Sequence, residues 1–297
     1  MEGEQIEAVR RFNRVVTQRV GALEDAYLSR ERSLGLSRLL WEIGPDGSEV
    51  RVLRSRLGLD SGYVSRQLRR LESQGLVTTD PDDHDGRVRT VRLTAAGAAE
   101  RTLLDRSSDE LAASMLEPLT GAQRERLVAA MAEVEKLVLA SLVRIEMADP
   151  HHPDARYCLR SYVDELGRRF PAGFDPSRSI SASDEEMTLP QGLLLVATVQ
   201  GSPVGCAALK LHPDTGIAEV KRMWVSPSVR GLGLGRRLLE SLAQEASARG
   251  MRALRLETND ALTEARHLYE TAGFAEVDAF NDEPYAHHWF HRDLRRD

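Results

Sequence analysis

The run VSPSVRGLGLGRRLLESL, residues 225–242, decides how the second half of this chain is read. A β-patterned segment ends, Gly231, Gly233 and Gly235 follow at alternate positions, and an amphipathic helix begins. A turn of this kind aims a row of backbone N–H groups at the space before a helix N-terminus, where they can hold an anion. Glycine leaves that approach clear, because no Cβ stands between backbone and ligand.

Outward from this run, β-patterned stretches precede it at 193–200, 203–211 and 217–226. A strand at 253–258 and a helix at 262–272 follow, and FAEVDAF and HHWFHRDL suggest two last strands. Upstream, RIEMADP (144–150) reads as a strand and loop, residues 155–169 as a helix, and the Pro-, Ser- and acid-rich 171–190 as a long loop. A glycine-rich turn also fits a dinucleotide fold, but that fold wants its glycines after a first strand, with an acid about 20 residues on. Here they come after a third or fourth strand of antiparallel character.

The spacing R-G-x-G-x-G followed by R-x-L-L, together with EARHLYETAGF at 264–274, resembles motifs A and B of the GCN5-related N-acetyltransferases (GNAT). The resemblance covers about residues 142–297 and implies an α/β mixed sheet with acetyl-CoA as acyl donor. It implies that the backbone of Met223, Trp224 and Val225 pairs with the pantetheine arm. Arg230, Gly231, Leu232, Gly233, Leu234 and Gly235 would cradle the pyrophosphate. Tyr269 matches the tyrosine that points at the CoA sulfur, a candidate acid, and Glu219 stands where some members carry a general base. Leu262 occupies a position where many members have an asparagine on the CoA arm, so Asn259 is the expected substitute. Asp184, Glu185 and Glu186 in the 171–190 loop could attract a cationic amine or simply be solvated, and His287 and His288 lie near the expected acceptor side.

The first half reads differently. Ile6, Val9, Phe12, Val16, Val20 and Leu23 recur every three or four residues, predicting an amphipathic helix over 4–28. A second helix is expected from Ser33 to Ile43, a third capped by Ser48, and a fourth capped by Asp60 or Ser61, with Val64, Leu68 and Leu71 inward. LVTTD (76–80) and TVRLT (90–94) flank an Asp-Gly tip and read as a hairpin. Helices at 95–116 and 121–140 follow, capped by Thr94 and Thr120.

The fourth helix leaves Ser61, Tyr63, Ser65, Arg66, Arg69 and Arg70 outward, a set able to meet phosphates and base edges. D-x-x-D-G-R at 82–87, R-L-T-x-x-G at 92–97 and L-x-x-Q-G-L-V at 71–77 resemble the MarR wing and recognition-helix exit. The resemblance covers about residues 5–140. It implies a homodimer built from the first helix and the last two, bound to a double-stranded DNA operator through Ser61, Tyr63, Ser65, Arg66 and Arg87. Asp85 would orient Arg87, and Arg69 shares the outward face. His84 stands where the family often has arginine.

The expected fold class is therefore α+β in two domains. Residues 1–141 form a mostly α winged helix-turn-helix for DNA binding and dimerisation, and 142–297 a GNAT domain. The 297 residues suit two domains better than one. The net charge of −6 is uneven: residues 48–92 carry nine arginines against seven acids. No apolar run approaches the roughly 20 residues of a membrane span, and the charged start MEGEQIEAVRRF lacks a signal-peptide pattern. A cytoplasmic protein is expected. Cys158 and Cys206 show neither CxxC spacing nor a histidine pairing, so no metal site and no disulfide framework is expected. The functional expectation is a DNA-binding regulator that also acetylates an amine, a small molecule or a protein lysine. The alternative is a regulator whose GNAT half senses acyl-CoA without turnover.

Overall fold

A computed structural model describes residues 3–21, 33–81 and 89–294. The chain divides into two compact units, Met1–Met131 and Ala132–Asp297. The division falls inside a long helix, and the boundary proposed from sequence, 141/142, falls at that helix's end.

In the first unit α1 spans Gly3–Arg19. Then come α2 (Leu34–Ile43), β1 (Ser48–Glu49), α3 (Val50–Leu57), α4 (Ser61–Ser73), β2 (Val77–Pro81), β3 (Arg89–Leu93) and α5 (Ala95–Leu116). The helix α6 (Gly121–Ser141) crosses the division. Leu36, Leu39, Leu40 and Ile43 of α2 meet Leu53 of α3 and Val64, Leu68 and Leu71 of α4 in one buried cluster. The helix-turn-helix is fixed by this shared core, as the spacing of three and four requires. Asp60 caps α4 by accepting the Tyr63 N–H at 2.8 Å. Ser48 does not cap α3: its backbone pairs with Val91 as part of β1, and Glu49 takes the cap position without a side-chain bond. A strand edge that needed a third partner has taken the residue. The part of the expected first helix beyond residue 21 lies outside the described residues.

The second unit is built on a seven-stranded sheet. Its strands are β4 (Arg144–Met147), β5 (Gly192–Val199), β6 (Ser202–His212), β7 (Ile217–Val225), β8 (Ala253–Thr258), β9 (Ala275–Val277) and β10 (His288–Asp293), in the order β4-β5-β6-β7-β8-β10-β9. Three helices accompany them: α7 (Pro153–Arg169), α8 (Leu234–Ala248) and α9 (Thr263–Thr271). Alternation along β5 sends Leu193, Leu195 and Ala197 into a core with Leu234, Leu238, Leu239 and Leu242 of α8. Leu194 and Val196 go to the opposite face, against Ala155, Cys158 and Leu159 of α7. Both faces are covered, so the strands read as continuous apolar runs. Leu238 has no exposed surface; truncating it to alanine should cost about 2–5 kcal/mol.

Two departures from a regular sheet position the site. Every pair along it is antiparallel except β7 with β8, which is parallel and bonded only over Ile217–Glu219 and Ala253–Arg255. Beyond Glu219 and Arg255 the two strands run on unpaired by each other, which opens a cleft in the middle of the sheet. On the other edge of β7, Cys206 faces Trp224 while Ala208 faces Lys221, so β7 carries one extra residue. Arg222 sits in this bulge with φ of 53°, a conformation costly for a residue with a Cβ.

Candidate functional site

The cleft between the diverging ends of β7 and β8 is a cavity of about 490 Å³. Met223, Trp224 and Val225 line it from the bulged strand, and Arg230, Gly231, Gly233, Leu234 and Gly235 from the glycine turn. Gly231 and Gly233 have φ of 79° and 75°, and a Cβ at either would meet nothing within 4 Å. The turn is thus an open cradle at the N-terminus of α8, whose N–H groups and dipole favour an anion. A Cβ at Gly235 would approach Leu268 of α9 to 2.8 Å, so this third glycine serves helix packing. Together the cradle and the unpaired edge of β7 fit a pyrophosphate joined to an extended amide arm.

Three of the residues expected to meet that ligand do so differently or not at all. The Leu232 side chain packs partly against the sheet core and is not among the cavity-lining residues. The Arg230 guanidinium is turned onto Glu165 at 2.5 Å and the Val225 carbonyl at 3.0 Å, so this residue braces the turn. Asn259 lines the cavity, but its amide donates to the Tyr285 carbonyl at 2.7 Å and its oxygen accepts from the Ala261 N–H at 2.9 Å. It ties the β8–α9 loop to the 285 segment, and so is not a free replacement for the asparagine absent at Leu262.

Tyr269 is buried and lines the cavity, its hydroxyl 3.9 Å from the Met223 sulfur. Burial raises its phenol well above the usual tyrosine value. Such a group stays protonated at neutral pH. It can donate a hydrogen bond to a departing sulfur, but complete transfer to a thiolate of pKa near 8.5 runs uphill. Tyr162, also at the cavity, is pushed up to about 12 by burial and stays a phenol as well.

Glu219 is not placed to act as the base. It is absent from the cavity wall and buried beside Arg255, with Lys221 Nζ at 3.2 Å and His212 Nε2 at 3.1 Å. Burial alone would raise its carboxyl, but the Lys221 and Arg255 charges outweigh it and hold Glu219 below the usual value. The pattern reading placed a base on β7 by its distance from Val225; on this strand that position faces the ion-pair cluster.

Sequence reading missed Glu257, two strand positions beyond Arg255. It lines the cavity, is ion-paired to Lys221 on one oxygen, and leaves the buried Oε2 without a partner. Burial raises its carboxyl despite the Lys221 charge, and Glu219 and Glu283 add to the rise. Its sequence signal, an acid in an alternating strand, is shared by too many residues to single it out.

The acids of the 171–190 loop do not reach the cleft. Asp184 is bound by Arg156 at 2.5 Å and Glu186 by Lys210 at 2.6 Å; Ser179, Ile180 and Ser181 of this loop line the cavity. His287 and His288 both bond Asp260, at 3.0 and 2.6 Å, and His288 also bonds Glu276 at 2.5 Å. Neither lines the cavity. Cys158 and Cys206 are buried free thiols, and no group of three or more metal-binding side chains occurs among the described residues.

In the first unit, Ser61, Arg66, Arg69 and Arg70 are exposed on α4 and Ser65 is half-buried. Among the described residues no carboxylate pairs with Arg66, Arg69 or Arg70, leaving an unneutralised basic face. Tyr63 is half-buried and turned inward: its hydroxyl lies 2.6 Å from where a Cβ on Gly35 would stand. The missing side chain at Gly35 is what admits the ring. Asp85 and Arg87 lie outside the described residues.

Two family patterns match this chain. The pattern of the acetyltransferase (GNAT) family matches residues 159–274, and that of the MarR family residues 37–88. An IAA acetyltransferase of Azospirillum brasilense is 39% identical over 124 residues, covering 41% of this chain and 79% of that protein. A mycothiol acetyltransferase of Thermomonospora curvata is 38% identical over 100 residues, a third of either chain. Among solved structures, a GCN5-related N-acetyltransferase from Kribbella flavida is 24% identical with a TM-score of 0.40, covering 52% of this chain and 99% of that one. The chain belongs to the GNAT family, and ahead of its GNAT domain it carries a segment that matches the MarR pattern.

Proposed function

We propose that this protein is a DNA-binding transcription regulator that also transfers acetyl groups from acetyl-CoA to an amine. The observation that carries the catalytic half is the cleft between β7 and β8. It joins an anion cradle, an unpaired strand edge, a protonated tyrosine and a carboxylate with a free buried oxygen. Bound acetyl-CoA supplies a thioester whose acetyl group passes to the amine nitrogen, with one proton leaving the amine and one reaching the sulfur. Glu257 Oε2 takes the first proton, its raised pKa bringing it nearer the working pH. Tyr269 donates a hydrogen bond to the sulfur as charge develops there. Met223, Trp224, Val225 and the backbone of 230–235 hold the donor.

For the regulatory half, Arg66 and Arg69 of α4, with Ser61 and Ser65, would meet double-stranded DNA. The exposed apolar stripe Ile6, Val9, Phe12 and Val16 on α1 suits pairing with a second copy. No helix among the described residues is long and apolar enough to cross a membrane.

Leu262, and the engagement of Asn259 by backbone, favour a second reading in which CoA binds as a signal without turnover. One preparation tests both. CoA release from acetyl-CoA is followed with a panel of amines, and operator affinity is measured with and without CoA. Amine-dependent release supports transfer. No release, with a CoA-dependent shift in DNA affinity, establishes the sensor. Arg66→Ala should weaken DNA binding and reduce the slope of log K against log salt by about 0.9 if Arg66 meets one phosphate. An unchanged slope and affinity would refute its placement.

A further inference from the structure

The cleft contains an arginine that no carboxylate contacts directly among the described residues. Arg222 lines the cavity from the β7 bulge, and no hydrogen bond or ion pair engages its guanidinium among the described residues. Its Nε is buried and has no partner. The nearest feature is the Tyr162 ring, 5.7 Å from the guanidinium carbon. Of the other cations on the cavity wall, Lys221 is paired to Glu257 and Glu219, Arg169 to Glu264 and Glu165, and Arg230 to Glu165, while Arg236 at the glycine turn donates to the Thr271 carbonyl at 2.9 Å. A half-buried guanidinium with an orphaned N–H is costly to maintain. So is its left-handed backbone, at 53° in φ, which persists only where surroundings enforce it.

The rest of the wall is apolar and aromatic. Phe170, Phe174 and Tyr285 pack on one another, with ring centroids 5.8, 5.8 and 4.9 Å apart. Ile180 lines the same cavity and is 45% exposed. Glu283, on the same cavity wall, forms no ion pair with Arg222. Its oxygens already accept from Ser179 Oγ, the Ile180 N–H and the Tyr285 N–H, at 2.9, 2.6 and 3.2 Å.

We propose that Arg222 anchors a carboxylate of the acceptor, so that the amine acetylated here is an amino acid with an apolar side chain. The planar guanidinium matches a carboxylate through two parallel N–H···O bonds. The aromatic wall takes the side chain, and Glu257, on the wall of the same cavity, takes the amine's proton. This rests on the acetyl-transfer reading above, and the test separates the two.

Acetylation of phenylalanine, leucine and tryptophan is compared with that of their amides, which keep shape and amine but lose the anion. Wild type should favour the acids in kcat/KM by about 10- to 100-fold, the range for one charge-assisted pair. Arg222→Gln should abolish that preference through KM, and Arg222→Lys should restore part of it. Equal turnover of acids and amides, or a preference that survives Arg222→Gln, overturns the anchor and leaves acetyl transfer standing. A rise in the acetyl-CoA KM that is equal for every acceptor assigns Arg222 to the donor and also overturns it. If no amine is turned over, acetyl transfer fails. Calorimetry of the same amino acids on CoA-loaded protein then decides the anchor: Arg222-dependent binding upholds it, and its absence overturns it.

Discussion

Replacing Glu257 by glutamine keeps the volume and a hydrogen-bonding oxygen but removes the proton acceptor. A positioned general base contributes about 10²- to 10⁴-fold, equivalent to about 2.7–5.4 kcal/mol of transition-state stabilisation. Kcat/KM for the amine should fall by that factor at neutral pH. Folding should suffer less. An abandoned buried charge costs about 3–5 kcal/mol, but Lys221 keeps Glu219 at 3.2 Å, so the loss should stay below that range. The pH profile provides the sharper check. The base works only when ionised, and burial places its pKa above the ordinary 4.5. Wild-type kcat/KM should therefore decline as pH falls through that raised value, and the variant should lack this limb. Raising the pH deprotonates the amine in solution, so the deficit should narrow in alkali. A deficit under about threefold, or one constant at every pH with the limb retained, would refute the assignment and leave Glu257 a mere partner of Lys221.

Three further outcomes are expected. Tyr269→Phe should lower kcat by about 10- to 100-fold, the worth of a hydrogen bond to a charged group, with the acetyl-CoA dissociation constant nearly unchanged; an unaltered rate would remove the hydroxyl from the reaction. Gly233→Ala forces a Cβ into a left-handed turn at a cost of about 1–2 kcal/mol, and titration should show acetyl-CoA bound roughly tenfold more weakly; equal affinity would mean the turn does not cradle the ligand. His288 is raised above 6.5 by Glu276 and Asp260, against burial and the Arg266 charge. Its stabilisation is complete below 6.5 and is lost as pH rises through the raised value, so the Tm advantage of wild type over His288→Asn should shrink over that window; a constant advantage would show the contacts to be indifferent to charge.

Much of this protein is written in local pattern. The 3.6-residue spacing of Val64, Leu68 and Leu71 fixes which face of α4 is buried, and so leaves Arg66 and Arg69 outward, because a helix maps sequence distance directly onto direction. The glycines at 231, 233 and 235 announce a turn before a helix for the same reason: backbone freedom and N–H exposure are local properties. The family resemblance added Tyr269, whose motif is contiguous. What the chain alone did not decide is how distant segments share charge. Glu219 and Glu257 both read as acids on strands and both pair with Lys221; only the parting of β7 from β8 brings Glu257 to the cleft wall and leaves Glu219 off it. Likewise Arg222 looks like any strand arginine until the extra residue in β7 turns it into a cavity where no carboxylate pairs with it among the described residues. Strand register and side-chain pairing are settled between segments tens of residues apart, and sequence proximity carries no information about them.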